Sequence, residues 1–388
     1  MLDIQTQALW PTGENLAETP PRGVVLAYSH ADNDFACLHE RATRVEIARR
    51  LARLKGFDFG GSCDARSLPQ GSNYLVPNDT VVGELDARRL DIRSPDDLFG
   101  GVVPFAFVAS KAITHPLLGA GSPAPAGWSN RFPLQVTDAV HEGWTAFVLE
   151  DAFLAGNLLL KGGPVRVKQV HATGGRGQQV VRDCTELRFA LEAFDPDEMA
   201  ANGVVLERNL EEVTTFSVGQ VIVGDLVATY HGSQRTTTDN RGETVYGGST
   251  LQVVRGGFET LLATALPVEV RLAVAQARRY HEAALSCFPG MILSRINYDI
   301  ARGRDANGHW RSGVLEQSWR LGGASGAEVL ALEHFAADPA CRSIRVAGHE
   351  VYGSDVELPE GAAVFFAGED PIVGMLSKFA VVEVDGHT

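Results

Sequence analysis

From Gly23 to Ser29 the chain reads Gly-Val-Val-Leu-Ala-Tyr-Ser, a short apolar run that predicts a buried strand. After a polar turn, Val45, Ile47, Ala48, Leu51 and Leu54 recur at helical spacing between His39 and Leu54. Gly56 follows at the place where a helix closes, so the pattern predicts a strand–helix unit. Apolar runs at 74–76 and 101–108 predict further strands of the same small α/β unit. Residues 215–223 and 226–230 flank Gly224-Asp225, a hairpin signal, and 268–287 carries an amphipathic helical pattern. A second hairpin is predicted from Ile292–Ile300 and Val314–Gly323 around the turn Asp305-Ala-Asn-Gly308. Residues 1–22 are polar and proline-rich, 119–127 form a Gly/Pro loop, and 344–384 alternate short β-branched runs with Gly and Pro.

Composition narrows the field. A chain of 388 residues with 45% hydrophobic content and 41 glycines fits a loop-rich α/β enzyme of two or three domains. The net charge of −14 argues against nucleic acid, whose binding rests on Lys and Arg neutralising phosphates. Five scattered cysteines without a Cys-x-x-Cys pair indicate neither a disulfide framework nor a zinc site. The start lacks the basic and apolar regions of a secretory signal, and no run reaches the roughly 18 apolar residues of a membrane span. A cytoplasmic protein without a membrane anchor is expected. Monomer and homodimer are both open.

The most informative chemistry lies in Val165-Arg-Val-Lys168-Gln-Val-His-Ala-Thr-Gly174-Gly-Arg-Gly177. A lysine ends a β-branched strand, and glycines then let backbone N–H groups turn into an anion-binding concavity. The lysine precedes the glycines, so this is not the P-loop order. On the second hairpin, strand alternation sends Asn297 and Asp299 to one face, and Glu316, Ser318 and Arg320 to one face. If the register allows, the two sets converge into oxygen ligands that suit Mg²⁺ beside nucleotide phosphates. The two acids could instead pair with Arg295, Arg302 or Arg304, and Arg320 could be their structural partner instead of a cation acting on a phosphoryl group. His30, Asp32, Asp34, His39 and Glu40 offer a metal-binding or acid–base loop, or a simple helix cap; His171 is a phosphate donor or a plain loop histidine, and Arg235 a phosphate cation or part of an exposed strand end.

This order, a lysine before a glycine-rich loop, an acidic strand Val204-Val-Leu-Glu207-Arg-Asn-Leu210, an Asp strand and then Glu316-Gln-Ser318-Trp-Arg320, resembles the ATP-grasp superfamily. The whole sequence also looks like an uncharacterised bacterial family within it. The resemblance implies an ATP-grasp fold of two α+β lobes with an N-terminal α/β domain and a small β-rich C-terminal segment. The corresponding boundaries are 1–104, 105–330 with the lobes meeting at about 203–204, and 331–388 as a cap. It further implies that Lys111 and Lys168 touch the phosphates of ATP under a loop of Gly174, Gly175 and Gly177. Glu207, Asn209 and Leu210 would form the adenine-reading hinge, Asp299, Glu316 and Ser318 would hold Mg²⁺, and Arg320, with Lys168, would act on the transferring group. Ser318 stands where the family has asparagine, leaving the number of metal ions open, and only Glu211 or Glu212 offers an acid for the ribose. The activity implied is ligation of a small-molecule carboxylate to an amine, thiol or other nucleophile through an acyl phosphate. A phosphotransferase and a non-catalytic ATP-binding regulator are the alternatives. No Gly-x-Ser-x-Gly elbow or other nucleophilic triad stands out.

Overall fold

Val24–Tyr28 is the central strand of a parallel three-stranded sheet, between Asp58–Cys63 and Asn73–Pro77. The helix Leu38–Lys55 crosses between the first two of these strands in sequence and stops at Gly56. There the backbone takes φ +63°, a conformation that favours glycine, and the Gly56 N–H bonds back to the carbonyls of the last turn. The structure, a computed structural model, describes residues 23–30, 37–171 and 177–383.

The strand expected over 101–108 is shorter than its apolar pattern. Gly101–Val103 pairs with Val81–Val82 and Ile292–Leu293, and Pro104, which has no N–H to give a ladder, ends it. Two 3₁₀ turns follow, Ala106–Ala109 and Lys111–Thr114. Ser110 caps the second, accepting from the Ala112 N–H at 3.2 Å, and this tight turn fixes the direction of Lys111.

Two larger sheets carry the rest. Gly143–Ala146, Val204–Arg208, Val165–Gln169 and Gln178–Val181 form an antiparallel four-stranded sheet in that order. Helices Leu149–Leu160 and Cys184–Glu192 seal it through Ala152, Leu159, Leu187 and Leu191 over Val167 and Leu206. The second sheet is antiparallel and eight-stranded, in the order Trp310–Ser318, Arg295–Arg304, Glu211–Val223, Leu226–Thr238, Thr244–Arg255, Ser343–Tyr352, Gly374–Glu383, Ala363–Asp370. Both predicted hairpins are present, with Gly224 at φ +55° and Gly308 at φ +78° in their turns. The late β-rich segment adds its three strands to this same sheet.

The amphipathic helix Val268–Cys287 buries Ala273, Ala277 and Tyr280 against Val218, Ile296, Tyr298 and Val314. Helix Ser325–Ala337 packs elsewhere on the sheet, and its Leu332 and Phe335 share one core with Val25, Ile47 and Leu51 of the parallel unit. No helix among the described residues is long and apolar enough to cross a membrane. The five cysteines are free thiols.

Within this framework Arg295 and Glu328 form a fully buried bidentate pair, with Nε–Oε2 3.0 Å and Nη2–Oε1 2.8 Å. Arg295 Nη1 also donates to the carbonyls of Ser318 (3.3 Å) and Arg320 (2.5 Å), and the Tyr230 hydroxyl lies 2.5 Å from Glu328 Oε1. The pair therefore pins the end of the strand that carries Glu316. Arg295→Met leaves Glu328 charged and unpaired in the core, and is expected to cost about 3–5 kcal/mol in urea unfolding. Restoring most of that with Glu328→Leu in the double variant would mark the loss as electrostatic.

Candidate active site

Glu316 and Asp299 lie directly opposite one another on paired strands, and Ser318 faces Asn297 two residues along the same ladder. A register shift between Asp299 and Ile300 makes this possible, because the pairs nearer the turn run Ile300 with Val314 through Arg304 with Trp310. Continued unshifted, that register would set Asp299 against Leu315, whose side chain points to the other face.

Asp299 Oδ1 accepts three hydrogen bonds, from Ser217 Oγ (3.0 Å), Gln234 Nε2 (2.9 Å) and Asn297 Nδ2 (3.2 Å). Burial, then the facing Glu316, outweigh these bonds and push its carboxyl up to about 6. Two close carboxylates, one of them resisting ionisation, suit a divalent cation that would relieve both effects. Ser318 Oγ lies 3.3 Å from Arg295 Nη1.

The cation that meets Glu316 is Lys111, almost fully buried, whose Nζ forms an ion pair with Glu316 Oε2. Arg295 is committed to Glu328, while Arg302 and Arg304 stack on Trp310, 4.0 and 4.4 Å from its ring centre. Arg320 Nε sits 3.8 Å from Asp79 Oδ1, and Arg320 Nη1 donates to its neighbour Leu321 at 2.8 Å.

A second buried ion cluster lies in the four-stranded sheet. Lys168 Nζ pairs with Glu207 Oε1, and His115 Nε2 lies 3.3 Å from Glu207 Oε2. Burial alone would raise Glu207, but Lys168 and then His115 outweigh it and hold the carboxyl well below the usual range. His141 is buried against this cluster and pushed down to about 4, chiefly by burial, so it is neutral at physiological pH.

One short segment joins the two clusters. Lys111 reaches Glu316 from the start of the turn Lys111–Thr114, and His115, the residue that follows this turn, reaches Glu207. Thr145 clamps the segment to the four-stranded sheet through its N–H to Pro116 (2.9 Å) and its Oγ1 to Ala112 (2.7 Å). A cavity of about 620 Å³ opens beside it, lined by His115, His141 and Leu210 on one side and by Asp305, Trp310 and Ser312 on the other.

The remaining sequence candidates fall as follows. Asn209 Oδ1 accepts from Arg166 Nη2 at 2.7 Å, and its N–H donates to the Pro164 carbonyl, so it fixes the backbone just past strand Val204–Arg208. Gly177 takes φ +61° and its carbonyl accepts from the Gln169 N–H; Gly174 and Gly175 lie outside the described residues. Glu212 pairs with Arg304 at 3.1 Å, and Arg235 donates to the Gly348 carbonyl at 2.6 Å. His30 lies 3.9 Å from Asp86, and His39 bonds to Asp370; Asp32 and Asp34 are outside the described residues. Sequence reasoning missed His115, His141, Gln234, Tyr230 and Glu328. Only Glu328 carried a signal, as an acid among Ala327, Val329 and Leu332 on an apolar helix face.

A family model described as a protein of unknown function (DUF3182) matches residues 26–380. No match is found among curated proteins. Among solved structures, the biotin carboxylase domain of Hydrogenobacter thermophilus 2-oxoglutarate carboxylase, in complex with MgADP, ADP and bicarbonate, is similar at 13% identity and TM-score 0.50. The match covers 94% of this chain and 87% of that one. N5-carboxyaminoimidazole synthetase from Staphylococcus aureus, complexed with ADP, is similar at 10% identity and TM-score 0.49 over 95% of each chain. Phosphoribosylamine–glycine ligase from Thermotoga maritima is similar at 13% identity and TM-score 0.46, over 93% of this chain and 92% of that one. The fold is the ATP-grasp fold.

Proposed function

The chain belongs to the DUF3182 family, and from that membership and its ATP-grasp fold we propose that it is an ATP-dependent ligase that joins a small-molecule carboxylate to an amine or other nucleophile. The observation that carries this reading is the placement of two acid–lysine pairs, Lys111 with Glu316 and Lys168 with Glu207, at the two ends of one short segment between the large sheets. The biotin carboxylase domain named above, in complex with MgADP and ADP, supports the nucleotide part of this reading.

A carboxylate does not react with an amine unaided, because the leaving group would be oxide. Transfer of the γ-phosphoryl of ATP to a carboxylate oxygen breaks the β–γ phosphoanhydride, releases ADP and leaves an acyl phosphate. The nucleophile then attacks the acyl carbon, phosphate departs and the nucleophile loses its proton. The chain's part is positioning and charge stabilisation. Lys168 and Lys111 would face phosphate oxygens, Glu207 and Leu210 would receive the adenine, and Gly177 would border the phosphates. Mg²⁺, held by Asp299 and Glu316 with Ser318 beside them, would neutralise phosphate charge as it accumulates. Arg320, about one third exposed, would have to leave Asp79 and the Leu321 carbonyl to reach the acyl phosphate.

The test is a screen of the purified protein for ADP formation with pooled amino acids, polyamines and small organic acids, repeated with hydroxylamine as the nucleophile. An acyl hydroxamate formed in step with ADP is expected. ADP without hydroxamate would favour phosphoryl transfer to a hydroxyl, and ATP binding without ADP release would favour a regulatory protein.

A further inference from the structure

Cys37, His39 and Asp370 come together at a place the proposed ligase chemistry does not use. Cys37 is the N-cap residue of helix Leu38–Lys55, His39 lies in its first turn, and Asp370 ends strand Ala363–Asp370, 331 residues away from His39. One donor atom from each lies within 4.8 Å of the other two. The segments are rigidly placed: Asp370 Oδ1 accepts from the N–H groups of Ile372 (2.8 Å) and Val373 (3.1 Å), and Oδ2 accepts from the His39 N–H at 2.9 Å. His39 Nδ1 is 3.0 Å from the same Oδ2, a separation that two ligands of one ion can share.

We propose that Cys37, His39 and Asp370 form a zinc site that fastens the start of the helix to the end of the late hairpin. A thiolate, an imidazole and a carboxylate are the donor set on which zinc is held, and three protein ligands leave the fourth tetrahedral position to water. His39 and Asp370 are buried and Cys37 is half-buried. Binding exchanges the thiol proton for the metal, with the proton released to solvent.

The site is read from cobalt, whose thiolate complexes absorb in the near ultraviolet where carboxylate and imidazole complexes do not. Full-length protein in reducing, metal-free buffer is titrated with Co²⁺, then with Zn²⁺ as competitor. One equivalent of a thiolate-to-cobalt band, lost on adding zinc, is expected for the wild type. Cys37→Ser should lack the band and bind zinc at least about tenfold more weakly, with an unchanged circular dichroism spectrum. Asp370→Asn, which keeps one oxygen as acceptor for the Ile372 and Val373 N–H groups, should weaken both metals while retaining some of the band. No band in the wild type, or a full band in Cys37→Ser supplied by one of the other four cysteines, would overturn the proposal.

Discussion

Glu316→Gln is expected to lower ADP formation by about 100-fold or more while leaving the protein folded. The amide keeps an oxygen for Lys111 Nζ, so the buried lysine retains a hydrogen-bond acceptor, but the negative charge opposite Asp299 is gone. Lys168→Met is expected to cause a comparable loss by a different route, since it removes the cation from the Glu207 cluster and leaves that buried carboxylate with His115 alone. This variant also loses about 3–5 kcal/mol of stability, because one charge of a buried pair is stranded. The double variant Lys168→Met/Glu207→Gln separates the two effects: stability returns and activity does not. A readout independent of substrate identity is stabilisation by Mg-ATP, about 2.7 kcal/mol for the wild type at a hundredfold excess over Kd. Wild-type ADP production in both Glu316→Gln and Lys168→Met would sink the assignment.

Asp299→Asn is expected to be inactive and yet more stable than the wild type. All three hydrogen bonds to Asp299 reach Oδ1, and an asparagine oxygen in that place accepts them equally. What changes is the charge. With its carboxyl pushed up to about 6 from 3.8 by burial and by Glu316, the native state binds a proton that the unfolded chain releases between those values. Stability therefore falls as pH rises through this window, and above it the native protein carries the full cost of the buried charge. The substitution should gain about 1–3 kcal/mol at about pH 8 in metal-free buffer, and the gain should vanish toward about pH 4. Urea unfolding at both values measures it, and equal stabilities at the higher pH would contradict the account. An acid kept at a cost in stability is what a cation-binding role requires.

Sequence patterning reached far into this molecule where the determinants are local. The Gly56 stop, the Gly224-Asp225 and Asp305–Gly308 turns and the amphipathic helix over 268–287 are each set by neighbouring residues. Alternation also placed Asp299 and Glu316 on single faces of their strands. It could not show that they meet, because their meeting depends on one extra residue inserted into the ladder between Glu316 and Val314. Equally hidden were the partners. Lys111 finds Glu316 across 205 residues and His39 finds Asp370 across 331, separations that no periodicity encodes. Arg295, Arg302 and Arg304 are the acids' basic neighbours in sequence, yet those side chains serve Glu328, Glu212 and the Trp310 ring.

The eight-stranded sheet constrains how the molecule can be made. Strand Gly374–Glu383 lies inside the sheet, between Ser343–Tyr352 and Ala363–Asp370, and Ser343–Tyr352 in turn covers Thr244–Arg255. During synthesis the Thr244–Arg255 strand thus waits, its outer amides and carbonyls unpaired, until about ninety more residues have left the ribosome. The strands that bear the paired acids precede in the chain those that complete their sheet, so a chain ending before Ser343–Tyr352 would leave Thr244–Arg255 as an exposed edge.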